Sequence, residues 1–177
     1  MPQRILVPLD RSHRSDAALA GVTEVCAPGD EITLLSVVKP AARAQVGTRQ
    51  SRTASHLSDP AATARLAPGR DTPIFETQEQ VRERQVVTLT GYLNAKADEL
   101  QRRGFKVYIQ PLVEKDPAKA IIDYARSYRP SAILMVRRTH DPRRFIFGSV
   151  SSEVAKADVA PLLLLPARAG DSQLSAS

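Results

Sequence analysis

Short runs of isoleucine, valine and leucine alternate along this chain with longer segments whose apolar residues recur at helical spacing. That alternation constrains the fold more than any other feature. Residues 4–9 contain Ile5-Leu6-Val7-Pro8-Leu9, and residues 31–38 contain Ile32-Thr33-Leu34-Leu35-Ser36-Val37-Val38. Near-continuous apolarity of this kind belongs to strands covered on both faces of a sheet. Residues 105–112 alternate and read as a third strand, with 131–136 and 161–165 as the fourth and fifth.

The intervening segments carry helix signals. Ser12 stands as a cap before a helix over 13–26, where Ala18, Val22, Val25 and Cys26 share a face and Pro28-Gly29 ends the run. Over 78–103, Val86, Leu89, Leu93, Ala97 and Leu100 form one stripe that stops at Gly104. Asp116-Pro117 is a helix start with aspartate as N-cap and proline at the first helical position. The stripe Ala118, Ile121, Ile122, Ala125, Tyr128 follows, and Pro130 bars continuation. A short last helix begins near Ser149. Strand and helix in alternation call for a single-domain parallel sheet with right-handed crossovers and helices on both faces. Such sheets bind ligands beyond the carboxyl ends of their strands, where the strand order reverses. Asp10, Val37, Val38 and Met135 fall at those ends.

Residues 39–77 hold Pro40, Pro60, Pro68 and Pro73 and no sustained periodicity, so they read as a long flexible insert in a domain spanning 1–166. The stretch from Lys39 to Arg70 has six basic residues against Asp59 alone, and so carries five of the six net positive charges. The remainder is nearly neutral, which argues against a folded basic face for nucleic acid. Residues 167–177 read as a loose tail. No run approaches eighteen apolar residues, and the apolar start is too short for a signal peptide; with the single Cys26, the expectation is a cytoplasmic protein without a membrane span. His13, His56 and His140 are scattered, without metal-site spacing, and no catalytic constellation emerges, so an enzyme is not expected.

Several segments in order resemble the universal stress proteins. Ile5-Leu6-Val7-Pro8-Leu9-Asp10-Arg11-Ser12 resembles their opening strand and turn, and Ile32 to Val38 their second strand. Asp116-Pro117-Ala118 resembles the helix start before their fourth strand; Ala132-Ile133-Leu134-Met135, Phe147-Gly148-Ser149-Val150 and Ala160 to Leu165 resemble their closing third. The resemblance implies a five-stranded parallel sheet of order 3-2-1-4-5 and a homodimer formed through the last strand, 161–165. For one branch of the family it also implies ATP or a related adenine nucleotide at the strand ends, with Mg²⁺ entering only together with the nucleotide. Carried onto this chain, the nucleotide positions are Pro8, Asp10, Val37, Val38, Met135, Arg137, Arg138, Gly148, Ser149, Val150 and Ser151.

The ATP-binding branch carries a glycine, two residues, a glycine, nine residues, then glycine with serine or threonine. Glycines let backbone approach phosphate closely, and the following helix start offers N–H groups. Counting back from Gly148, the early glycines fall on Met135 and Arg138, or on Val136 and Thr139 in a loop one residue shorter. Only Gly148 and Ser149 of that set are present. Arg137-Arg138-Thr139-His140-Asp141-Pro142-Arg143-Arg144 stands in place of the glycine loop. Arginines there either replace the lost donors, since guanidinium grips phosphate bidentately, or form a solvated surface. Asp10 reads equally as a ligand group or a turn residue, and Gly148-Ser149 as a phosphate site or a tight turn with an N-cap. The expected function is a regulatory binding protein with an adenine-nucleotide-type cleft altered at its phosphate end. The alternative is a dimeric adaptor that has lost the nucleotide and acts through protein contacts.

Overall fold

The computed structural model describes residues 2–12, 14–42, 45–49, 72–136 and 148–165. The chain forms two compact units, Met1–Pro40 with Arg84–Ser177, and Ala41–Glu83. The first unit carries the five parallel strands β1 (Arg4–Leu9), β2 (Glu31–Val38), β5 (Lys106–Val113), β6 (Ala132–Val136) and β7 (Leu162–Leu165). Their spatial order is β5-β2-β1-β6-β7, the 3-2-1-4-5 arrangement of the parallel strands. The described helices are α1 (Arg14–Val25), α2 (Gln78–Gln101), α3 (Pro117–Tyr128) and α4 (Ser149–Ala157).

Alternation of side chains along β1 divides the interior into two layers. Ile5, Val7 and Leu9 pack with Ala18, Leu19 and Val22 of α1 and Leu93, Ala97 and Leu100 of α2. Leu6, on the other face, packs with Ile121 and Ala125 of α3 and Val154 of α4. Helices therefore cover both faces, which is why β1 and β2 need apolar side chains at nearly every position. Asp116 caps α3 as its sequence predicts, its carboxylate accepting a hydrogen bond from the Lys119 amide at 3.1 Å. Gly104, expected to end α2, turns the chain at φ 90°.

The boundaries of α2 and β5 differ by one or two residues from the expected 78–103 and 105–112, as fraying ends do. The larger difference lies within 39–77. The structure places β3 (Gln45–Arg49) and β4 (Thr72–Phe75) there as an antiparallel pair, with a register shift between Gln45 and Gly47. A pairing across more than twenty intervening residues leaves no periodic trace in either segment, because its partner is remote in sequence. Residues 50–71 and the tail lie outside the described residues.

Candidate functional site

The site begins with a proline in the central strand. Glu31 N–H donates to the Gln3 carbonyl at 2.8 Å, so the odd-numbered backbone groups of β1 face β2 and the even-numbered ones face β6. The β1–β6 register runs only through Ile5↔Ala132 and Leu6↔Ile133. The next group of β1 on that side is Pro8, which has no N–H to offer. The paired register stops there, short of the carboxyl ends of the two strands. β1 is also where the chain's order reverses: β2 and β5 are added on one side, β6 and β7 on the other.

A cavity of about 140 Å³ opens at this place. Pro8, Leu9 and Asp10 come to it from the end of β1, Leu35 and Val37 from β2, and Met135 and Val136 from β6. Ala18 of α1, Pro117 and Ile121 of α3, and Gly148, Val150 and Ser151 around the start of α4 complete it. The wall is apolar apart from the Asp10 carboxylate, the Ser151 hydroxyl and main-chain groups, and no lysine or arginine is among the described lining residues.

Seven of the positions expected from sequence meet here: Pro8, Asp10, Val37, Met135, Gly148, Val150 and Ser151. Val38 is not among the lining residues, because adjacent strand residues point to opposite faces and Val37 takes the inward one, packed against the Leu6–Leu35–Ile121 layer. Ser149 is exposed and also stays off the wall. Arg137 and Arg138, like His13, His56 and His140, lie outside the described residues. Leu9, Ala18, Leu35, Pro117, Ile121 and Val136 complete the wall without having been singled out as ligand residues. Their apolar patterns mark them as core, and nothing in a stripe tells its last member, at the rim, from those beneath.

Asp10 holds the turn and also lies on the cavity wall. Its Oδ1 accepts from the Ser12 amide at 3.1 Å and from the Ser12 hydroxyl at 2.5 Å, tying the turn, while the residue also lines the cavity. Two helix starts flank the opening and differ. That of α3 is closed by its own Asp116 carboxylate. That of α4 has Gly148 as N-cap, without a side-chain cap hydrogen bond. The Gly148 carbonyl accepts from the Ser152 amide at 2.9 Å and the Ser151 hydroxyl at 3.0 Å, which leaves the first-turn amides of α4 without a side-chain acceptor at the cap. Among the described residues no group of three or more His, Cys, Asp or Glu could hold a metal ion. Nor is any helix among them long and apolar enough to cross a membrane.

Comparison with solved structures gives the same fold several times over. A hypothetical protein whose biochemical function was assigned from its structure superposes with TM-score 0.64 at 19% identity, covering 96% of this chain and 99% of that one. A universal stress protein family member from Arabidopsis thaliana with AMP bound matches with TM-score 0.53 at 14% identity, over 98% of each chain. A universal stress protein in complex with cAMP matches with TM-score 0.51 at 12% identity, over 94% of this chain and 98% of that one. No curated protein matches the sequence. The family model described as the universal stress protein family matches residues 1–166, and the chain belongs to that family.

Proposed function

We propose that this protein is a regulatory binding protein whose cavity takes an adenine nucleotide, with a grip on the phosphates that differs from the glycine-loop pattern. The cavity at the carboxyl ends of β1 and β6, beyond their paired register, carries this reading. Its volume suits one ring system, since an apolar cavity of about 150 Å³ takes a benzene ring. Val37, Met135, Ile121 and Val150 would cover the base, and Asp10 at the mouth would accept from sugar hydroxyls. The first-turn amides of α4 would face a phosphate. Relatives of the same fold hold AMP and cAMP, which supports an adenine ligand without demanding a triphosphate. Mg²⁺ would enter only with the nucleotide, there being no cluster of acids to hold it otherwise among the described residues. Binding rather than turnover is the proposed role, in the cytoplasm.

A homodimer through β7 belongs to the same proposal. Ile133 N–H donates to the Pro161 carbonyl at 2.8 Å, so Leu162 and Leu164 turn their backbone groups outward on the far side of β7. The strand is four leucines with no charge or proline to discourage pairing. Leu163 is 39% exposed beside that edge.

Isothermal titration and thermal-shift measurements with AMP and ATP, with and without Mg²⁺, test the nucleotide reading. Saturable binding with a dissociation constant in the micromolar range is expected. Ligand at about a hundredfold excess over that constant then adds about 2.7 kcal/mol of stability. No heat and no shift at millimolar nucleotide overturns the reading and leaves the adaptor role.

A further inference from the structure

Among the described residues, Arg11 is the one beside the cavity whose backbone conformation works against its identity. It directly follows Asp10, which lines the wall, and it sits at φ 61°, in the left-handed region. A residue with a Cβ enters that region at a cost, because the Cβ crowds the neighbouring carbonyl; glycine does so freely. The turn itself is held by the Asp10 carboxylate on the Ser12 amide and hydroxyl, contacts that need nothing from the side chain between them. Arg11 is exposed, and among the described residues it makes no hydrogen bond or ion pair. Among the described residues, then, the strain secures no hydrogen bond and no ion pair for the arginine side chain.

Strained residues persist where the side chain has other work, typically at ligand sites. An adenine nucleotide brings at least one phosphate, yet no described lining residue is a cation, and Asp10 puts a carboxylate at the mouth. We propose that Arg11 brings positive charge to this site: its guanidinium, joined through one peptide bond to a wall residue, pairs with the phosphate of the bound nucleotide. The inference rests on the adenine-nucleotide reading above and adds a specificity-determining residue to it. A guanidinium pairs with phosphate through two parallel hydrogen bonds, so Arg11 distinguishes nucleotide from nucleoside.

The test compares wild type with Arg11→Gly and Arg11→Lys, titrated with AMP and with adenosine, alongside thermal melts without ligand. Arg11→Gly relieves the left-handed strain, so its melting temperature rises by about 2–4 °C while AMP affinity falls about tenfold. Adenosine affinity stays unchanged. Arg11→Lys keeps a charge but loses the fork, and its AMP affinity falls between the two. The inference is overturned if Arg11→Gly binds AMP as tightly as wild type. It is equally overturned if AMP and adenosine weaken together, since the arginine would then act through the turn and not through its charge. Wild type that binds neither ligand overturns the nucleotide reading itself, a separate result visible before any variant is made.

Discussion

Two prolines inside strands of one sheet show how much a single missing N–H decides. Pro8 faces β6 in the central strand, where it has no donor for the ladder, and it lines the cavity. Pro111 lies in the edge strand β5. Lys106 donates to the Asp30 carbonyl just before β2 at 3.1 Å and Glu114 to the Val38 carbonyl at 2.9 Å, so even-numbered groups face inward and Pro111 faces away from β2, where no ladder bond is lost. Cys26 illustrates the opposite case, a reactive side chain made quiet by its surroundings. It packs partly buried against the α1–α2 layer, and burial, then the nearby Asp30 carboxylate, pushes the thiol from 9.0 to about 11. The thiolate is the nucleophile, so at pH 8 native Cys26 should react with iodoacetamide about a hundredfold more slowly than the unfolded chain. Stopped-time alkylation with and without denaturant measures this; equal rates would show the thiol is not shielded. The raised value also means that any contribution of the protonated thiol to stability is complete below pH 9 and lost as pH rises toward 11.

At the level of elements, the tightest constraint is the approach of α1 to the end of β7. A Cβ placed on Gly21 would lie 1.8 Å from Leu165 Cδ1 and 3.0 Å from its Cγ. Glycine in mid-helix normally costs about 1 kcal/mol relative to alanine, so Gly21→Ala would help an isolated helix. Here it forces Leu165 from its place, and overpacking of this kind costs about 1–3 kcal/mol. Chemical denaturation should show Gly21→Ala destabilised by about 1 kcal/mol after the propensity gain. Pairing it with Leu165→Ala frees the space, so the double variant should be more stable than the sum of the single changes by about 1 kcal/mol. Strict additivity would mean the two residues do not meet. α3 and α4 differ in a related way: the Asp116 carboxylate caps one start, while Gly148 leaves the other without a side-chain cap.

For the molecule as a whole, the two edges of the sheet are unlike. β5 ends the sheet with an exposed lysine, Lys106, and an outward proline, both features that discourage further pairing. β7 has neither. If the homodimer forms through β7, Leu164→Pro should abolish it, because position 164 points its N–H away from β6 and the sheet keeps its own bonds. Light scattering with size-exclusion chromatography should show a monomer with unchanged circular dichroism. A dimer that survives the proline assembles elsewhere.

What the sequence by itself determined was the parallel sheet, its strand order through the family resemblance, and the rim where Asp10, Val37, Met135 and Gly148 meet. Buried strands, helical stripes and the Asp116-Pro117 cap are local patterns, and each answers to burial or hydrogen bonding within a few residues. Tertiary structure decided the rest. Whether Val37 or Val38 looks into the cavity depends on which layer of helices each faces, and Ile121 and Leu35 become wall residues only where the packed layers meet the rim of the sheet. The β3–β4 pair joins segments too far apart to mark each other. The strain at Arg11 has no sequence signature either, since a left-handed backbone is imposed by the turn that Asp10 and Ser12 close, not by the arginine. Periodicity records what a segment buries; it does not record where the register between two buried strands ends, and in this protein the cavity lies beyond that point.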